Sequence, residues 1–316
     1  RDPNPLYSLV WRLLIRPFGN STRGWVPSPI GAGRKVTLRS YFAAFNVKAN
    51  HRKIVIADRG DDWCGLVTSA NPHDASSAHT NVAIRFTGPA VQDLLHTENA
   101  VIALSGREPV AAEIRPPPQV PGATVQVLTE RAIKHAALRL IDQCRRNERL
   151  RVATFYLSDR DIIDALVRAR RRHVALRLLL DPNKDAFGNP KFGIPNRAVA
   201  EELHAAGVDI RWVHTHGEQC HTKMLLREDM SGEAVILLGS ANLTRRNLDN
   251  FNLETNVLVR TQATSKVFKD AKFHYDLLWQ NQPGRVFSVT YEHYRNPSAV
   301  KRWLSRFMEA SGFSTF

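Results

Sequence analysis

His51-Arg52-Lys53-Ile54-Val55-Ile56-Ala57-Asp58 is matched further along the chain by His221-Thr222-Lys223-Met224-Leu225-Leu226-Arg227-Glu228. Thr68-Ser69-Ala70-Asn71 then answers Gly239-Ser240-Ala241-Asn242, and His79-Thr80-Asn81-Val82 answers Glu254-Thr255-Asn256-Val257. Three blocks repeated in one order mark an internal duplication. In each copy a histidine and a lysine stand two apart at a run of strand length. On a strand, such residues project from the same face. The asparagine arrives from the next strand, so each copy gathers an imidazole, an ammonium and an amide.

Between the copies, Arg115-Pro116-Pro117-Pro118-Gln119-Val120-Pro121-Gly122 cannot sustain a helix or a central strand, because proline has no backbone donor. The expected organisation is therefore a first half over 1–114, a linker over 115–122, a second half over 123–285 and a C-terminal extension with a helix over 286–316. The second half reads as alternating elements. Strands are expected at 123–128, 150–157, 174–180, 208–213, 223–227 and 235–238. Helices are expected from Glu130 to Arg146, from a Ser158-Asp159 cap to Arg172, and from an Asn196 cap to Gly207. Strands alternating with helices predict an α/β sandwich with a parallel or mixed sheet. The first half is shorter ahead of its motif, so it is either reduced or lacks its first strands. Leu6 to Phe18 reads as a helix, packed on the sheet or lying in a membrane interface.

Composition bounds the partners. A formal charge of +14, from 44 Lys and Arg against 30 Asp and Glu, attracts polyanions. Nucleic acid and anionic lipid both meet that description. Three scattered cysteines, Cys64, Cys144 and Cys220, make no disulfide framework. No run approaches the ~20 apolar residues of a membrane span, and no signal-peptide pattern opens the chain. It begins at Arg1, which leaves room for an upstream anchor or leader.

Cleaving a phosphodiester needs a nucleophile, a proton donor for the leaving oxygen, and cations or donors around the phosphoryl oxygens. One copy lacks the second proton-transfer group. Two copies facing each other supply both.

A duplicated HxKxxxxD with a following Ser-x-Asn turn resembles the phospholipase D superfamily, which includes phospholipases, cardiolipin and phosphatidylserine synthases, and certain nucleases. The likeness runs from His51 to about Trp279. It implies two pseudo-twofold α/β/α sandwich halves with the site at their interface, a phosphohistidine intermediate, and neither metal nor cofactor. By the same likeness His51 and His221 are nucleophile and general acid, Lys53 and Lys223 bind phosphate oxygens, and Asn71 and Asn242 donate to them. Ser69, Ser240, Glu254, Asp58 and Glu228 support them, with Glu254 placed to reach either histidine and His79 as its counterpart in the first copy. Thr68 stands where the family has glycine and Glu228 where it has aspartate; neither change removes a needed group.

The segment Phe45-Asn46-Val47-Lys48-Ala49-Asn50-His51 is similar to bacterial cardiolipin-synthase-like proteins, which implies a phospholipid substrate and a peripheral site on an anionic membrane. Nucleic acid is the alternative substrate, although single-motif nucleases of the family build their site by dimerisation, whereas a duplicated chain completes it as a monomer. A basic, non-enzymatic binding module is the third reading.

Other signals have plainer explanations. His214 and His216 with Cys220 and His221 suggest zinc, but His221 belongs to the repeat and no second pair has ligand spacing. Arg168, Arg170, Arg171 and Arg172 close a helix, where cations suit the dipole. Arg245 and Asn247 follow the second turn closely enough to shape the pocket.

Overall fold

The computed structural model describes residues 9, 12–13, 24–27, 35–37, 49–60, 62–111, 122–186, 189–190, 193–295 and 298–311. The linker core, the Phe45–Lys48 segment and nearly all of Leu6 to Phe18 lie outside these residues.

The second copy builds an eight-stranded mixed sheet. Its order across the sheet is Ser288–Thr290, Asp209–Val213, Ala175–Leu180, Arg149–Thr154, Lys223–Glu228, Glu233–Gly239, Thr255–Gln262 and Ala123–Thr129. The strands at 149–154, 175–180 and 209–213 are parallel, joined through helices Arg160–Arg171 and Asn196–Ala205. The other pairings are antiparallel. The α/β class and mixed sheet follow from the alternation read in the sequence. Ser288–Thr290 pairs with 209–213, so this half continues past residue 285.

Alternation assigns the faces. Leu225 and Leu237 point with Leu150, Val152, Leu178 and Trp212 into a core closed by the helices Glu130–Asp142, Arg160–Arg171 and Asn196–Ala205. Met224, Leu226, Ile236 and Leu238 point the other way, towards the helix Lys266–Gln280 and the first copy. That copy contributes, among the described residues, an antiparallel sheet of Ile54–Arg59, Asp62–Thr68 and Ala83–Thr87, with the helix Pro89–Leu104. Val67, Ile84, Phe86, Val91 and Leu94 seal it onto the larger sheet. Gly65 permits this, because a Cβ there would lie 2.9 Å from Leu94. Among the described residues the first copy shows no counterpart of the parallel strands.

Local differences have local causes. Asp159 caps its helix as expected, its carboxylate accepting from Ile162 N at 3.1 Å. Asn196 does not cap: it lies inside its helix, accepting from Leu157 N and donating to the carbonyls of Phe155 and Asp181. The helix from Glu130 ends at Asp142 rather than Arg146, and the chain then turns through Asn147, whose φ is 66°. Arg172, meanwhile, donates to the carbonyls of Ile141 and Cys144 near the end of that helix.

Candidate functional site

The two motifs meet. Asn50 forms a parallel bridge with Leu253, and Thr80 forms one with Cys220. The bonds come from the flanking residues: His51 N donates to Leu253 O and Leu253 N to Ala49 O, while Thr80 N donates to Gln219 O. Lys223 opens its strand, whereas His51, Lys53 and His221 lie just ahead of theirs; Lys53 O still accepts from Thr68 N of its own copy, while the backbone around each histidine pairs across the copies.

Hydrogen bonds fix which residues are equivalent. Ser69 N donates to Val82 O and Ser240 N to Thr255 O. Val82 N returns a bond to Ser69 Oγ, as Thr255 N does to Ser240 Oγ, each at 3.0 Å. Ser69 Oγ meets Asn81 Oδ1 at 3.0 Å, and Ser240 Oγ donates to Glu254 Oε2 at 2.5 Å. The counterpart of Glu254 is therefore Asn81, not His79; the third block slides by two residues. His79 instead accepts from Gln219 N at 3.1 Å, its ring 6.1 Å from that of His221.

The two histidines consequently have unlike partners. His51 Nδ1 lies 2.9 and 3.0 Å from the two carboxylate oxygens of Glu254, across the copies. Glu254 is 0% exposed and also accepts from Ser240 and Asn247. Burial alone would raise its pKa, but the bonds from His51, Ser240 and Asn247 outweigh it and hold the carboxylate below its ordinary range. His221 Nδ1 faces Ser69 O at 2.8 Å and Asn81 Oδ1 at 3.3 Å. A carbonyl only accepts, so Nδ1 carries the hydrogen and Nε2 faces the site. Burial, then Lys223, Lys53 and His51, push the proton affinity of His221 far down.

The lysines are set alike. Lys53 Nζ donates to His51 O at 2.7 Å and Lys223 Nζ to His221 O at 2.9 Å. Burial lowers Lys53 to about 8 against the opposing pull of Glu254. Burial and Lys53 lower Lys223 well below the usual lysine range. An incoming anion favours the charged form of both buried lysines, so the site gains from binding one.

Asn242 is buried beside the second motif, while Asn71 lies half-buried with Nδ2 3.5 Å from Ser76 Oγ. Asp58 and Glu228 are not at the site. Each lies at the end of its strand far from the histidine, Asp58 next to last and Glu228 last; Asp58 is exposed, and Glu228 pairs with Arg149 and Arg151 at 3.3 Å. Gly239 carries no side chain because a Cβ would sit 2.4 Å from Thr255 O. In the first copy Thr68 is accommodated, its Oγ1 donating to Val82 O and accepting from Ala70 N. Arg245 turns away to the carbonyls of Glu309 and Ala310.

His214 and His216 contact each other at 4.4 Å, and no group of three or more His, Cys, Asp or Glu among the described residues is arranged to hold a metal. Burial pushes the Cys220 thiol up to about 12, which makes it a poor nucleophile at neutral pH.

Sequence reasoning missed Phe155, whose ring lies 5.1 Å from that of His221 and 5.2 Å from Lys223 Nζ. Nothing marks an aromatic at a strand end as a wall of a polar site. It also missed Asn81, whose signal was the Ser69–Asn81 contact hidden by the slipped alignment.

Residues 137–277 match the family model described as cardiolipin synthase, phospholipase D-like domain. No curated protein matches the chain. Among solved structures, the phospholipase D family member Nuc from Salmonella typhimurium is 20% identical, covering 53% of this chain and 99% of its own, with a TM-score of 0.41. Polyphosphate kinase from Porphyromonas gingivalis is 13% identical over 82% of this chain and 39% of its own, with a TM-score of 0.48. Yeast tyrosyl-DNA phosphodiesterase is 12% identical over 76% of each chain, with a TM-score of 0.42.

Proposed function

We propose that this chain, which belongs to the phospholipase D superfamily of phosphodiesterases, cleaves or transfers the phosphodiester of a phospholipid through a covalent histidine intermediate. The observation that carries the chemistry is the pair of unlike histidines, one backed by a buried carboxylate and one by neutral acceptors. His51 Nε2 attacks phosphorus as the bond to the leaving oxygen breaks. The cation that forms on His51 is stabilised by Glu254 at its far nitrogen. His221, its proton held weakly, gives that proton to the leaving oxygen. It gains the proton only when the substrate phosphate offsets Lys53 and Lys223, which ties protonation to occupancy. Water or an alcohol, deprotonated by His221, then attacks phosphorus and expels His51. Lys53, Lys223 and Asn242 bind the non-bridging oxygens, with Asn71 released from Ser76.

The substrate class rests on the cardiolipin-synthase description of the matched family model and on the two-copy chain. The test is turnover of labelled phosphatidylglycerol, with single- and double-stranded DNA in parallel, all in EDTA. Lipid hydrolysis or phosphatidyl transfer that survives chelation is expected. Nicked DNA with untouched lipid would overturn the phospholipid reading and leave the chemistry in place.

A further inference from the structure

The helix Ala299–Ser311 has two unlike faces. Ser305 and Glu309 are buried, Arg245 N donates to Glu309 at 2.7 Å, and Met308 packs on Phe155 and Tyr156. This face holds the helix to the body. The other face carries Val300, Trp303, Leu304 and Phe307, which are 74%, 66%, 39% and 52% exposed. Their spacing puts them in one stripe. Trp303 and Phe307 stack with ring centroids 5.6 Å apart, presenting one broad aromatic surface to solvent.

Charge narrows the occupant. Lys301, Arg302 and Arg306 flank the stripe, and the one carboxylate of the helix, Glu309, is buried beneath it. The nearest outside carboxylates, Glu201 and Glu202, are each met by an arginine of this helix. The stripe is therefore hydrocarbon bordered by cations, on a chain of net charge +14. A second copy would bring like charge against like. A nucleic-acid backbone would gain nothing from the hydrocarbon centre of the stripe. An anionic bilayer meets both parts: acyl chains and the interface for the rings, headgroups for the cations.

We propose that the helix Ala299–Ser311 docks this protein on an anionic phospholipid bilayer through Trp303, Phe307, Leu304 and Val300. The same helix reaches towards the site, since Met308 packs against the Phe155–Tyr156 pair and Phe155 lies against His221. Docking thus fixes the orientation of the site relative to the lipid surface. The choice of occupant rests on the phospholipid reading; the docking face does not.

The test is co-sedimentation of the whole chain with vesicles of phosphatidylglycerol and phosphatidylcholine, or of phosphatidylcholine alone, comparing wild type with Trp303→Ser/Phe307→Ser. Expected are wild-type binding to the anionic vesicles that weakens with salt, and at least tenfold weaker binding of the variant. Thermal unfolding and turnover of a soluble chromogenic diester should be unchanged in the variant, since both rings are exposed. Equal binding by wild type and variant, no wild-type binding at any salt, or wild-type binding to phosphatidylcholine alone at equal strength would overturn the proposal. So would a dimer in sedimentation velocity that the variant dissolves, or loss of DNA binding in its place. Binding without lipid cleavage would sink the substrate reading and leave the docking face standing. Cleavage of lipid in detergent micelles, with equal vesicle binding by both proteins, would do the reverse.

Discussion

Replacing Glu254 with glutamine isolates the charge behind His51. The carboxylate is fully buried and bonded to His51 Nδ1 through both oxygens. A glutamine carbonyl still accepts from Nδ1–H, so the ring keeps its tautomer and orientation while the negative charge is lost. Attack by Nε2 turns the imidazole into a cation. Two unit charges about 4 Å apart at an effective dielectric of about 20 attract by about 4 kcal/mol. At about 1.4 kcal/mol per tenfold, formation of the phosphoryl-enzyme should slow by about a thousandfold. The assay is the rapid-mixing burst of nitrophenolate from bis(p-nitrophenyl) phosphate, with thermal unfolding to show that the variant is folded. Lys53 and Lys223 lose a compensating charge too, so rates are read well below the unfolding transition. A folded variant whose burst rate stays within tenfold of wild type would refute the role given to Glu254.

Three further outcomes follow from the same geometry. With a substrate bearing a good leaving group, His221→Ala should still accumulate a covalent phosphoryl-enzyme detectable by intact mass, and His51→Ala should form none; the reverse would exchange the two roles. Because His221 takes up protons less readily folded than unfolded, the unfolded chain binds the extra proton below about pH 6.5. Wild-type stability should therefore fall more steeply towards acid than that of His221→Asn, by about 1.4 kcal/mol per pH unit in urea titrations, and parallel slopes would count against the buried neutral ring. Lys53, held at about 8, must be charged to bind an oxyanion, so tungstate affinity measured by calorimetry should drop about tenfold per pH unit above 8 in wild type and less steeply in Lys53→Met.

The repeat made the histidines, lysines and second-copy strands legible because those elements advertise themselves through spacing and apolar alternation. The Ser158-Asp159 cap was legible for a similar reason, since it is a local signal. Asn196 looked like the same signal and was not, because its amide serves the carbonyls of two other segments that only the tertiary structure brings near. The slip of the third block has a comparable cause. His79-Thr80-Asn81 shares letters with Glu254-Thr255-Asn256, but the ladder counts hydrogen bonds, and these pair Asn81 with Glu254. Asp58 and Glu228 were grouped with the histidines by motif. A strand rising about 3.3 Å per residue carries Glu228, five positions beyond Lys223, away from the site. Phe155 was illegible because its role depends on which strand lies beside the second motif.

The bridges of Asn50 to Leu253 and of Cys220 to Thr80 mean that neither repeat holds its own histidine unaided. Two molecules could therefore trade halves, the first repeat of one chain seated on the second repeat of the other, with every site contact reproduced. Domain swapping of this kind costs little because the exchanged interface is the native one, and the resulting dimer would carry two complete centres. It also ties the fates of the repeats together. A substitution at Leu253 or Thr80 is felt first at a histidine in the other repeat, so after duplication the two copies were free to become different but not to become independent.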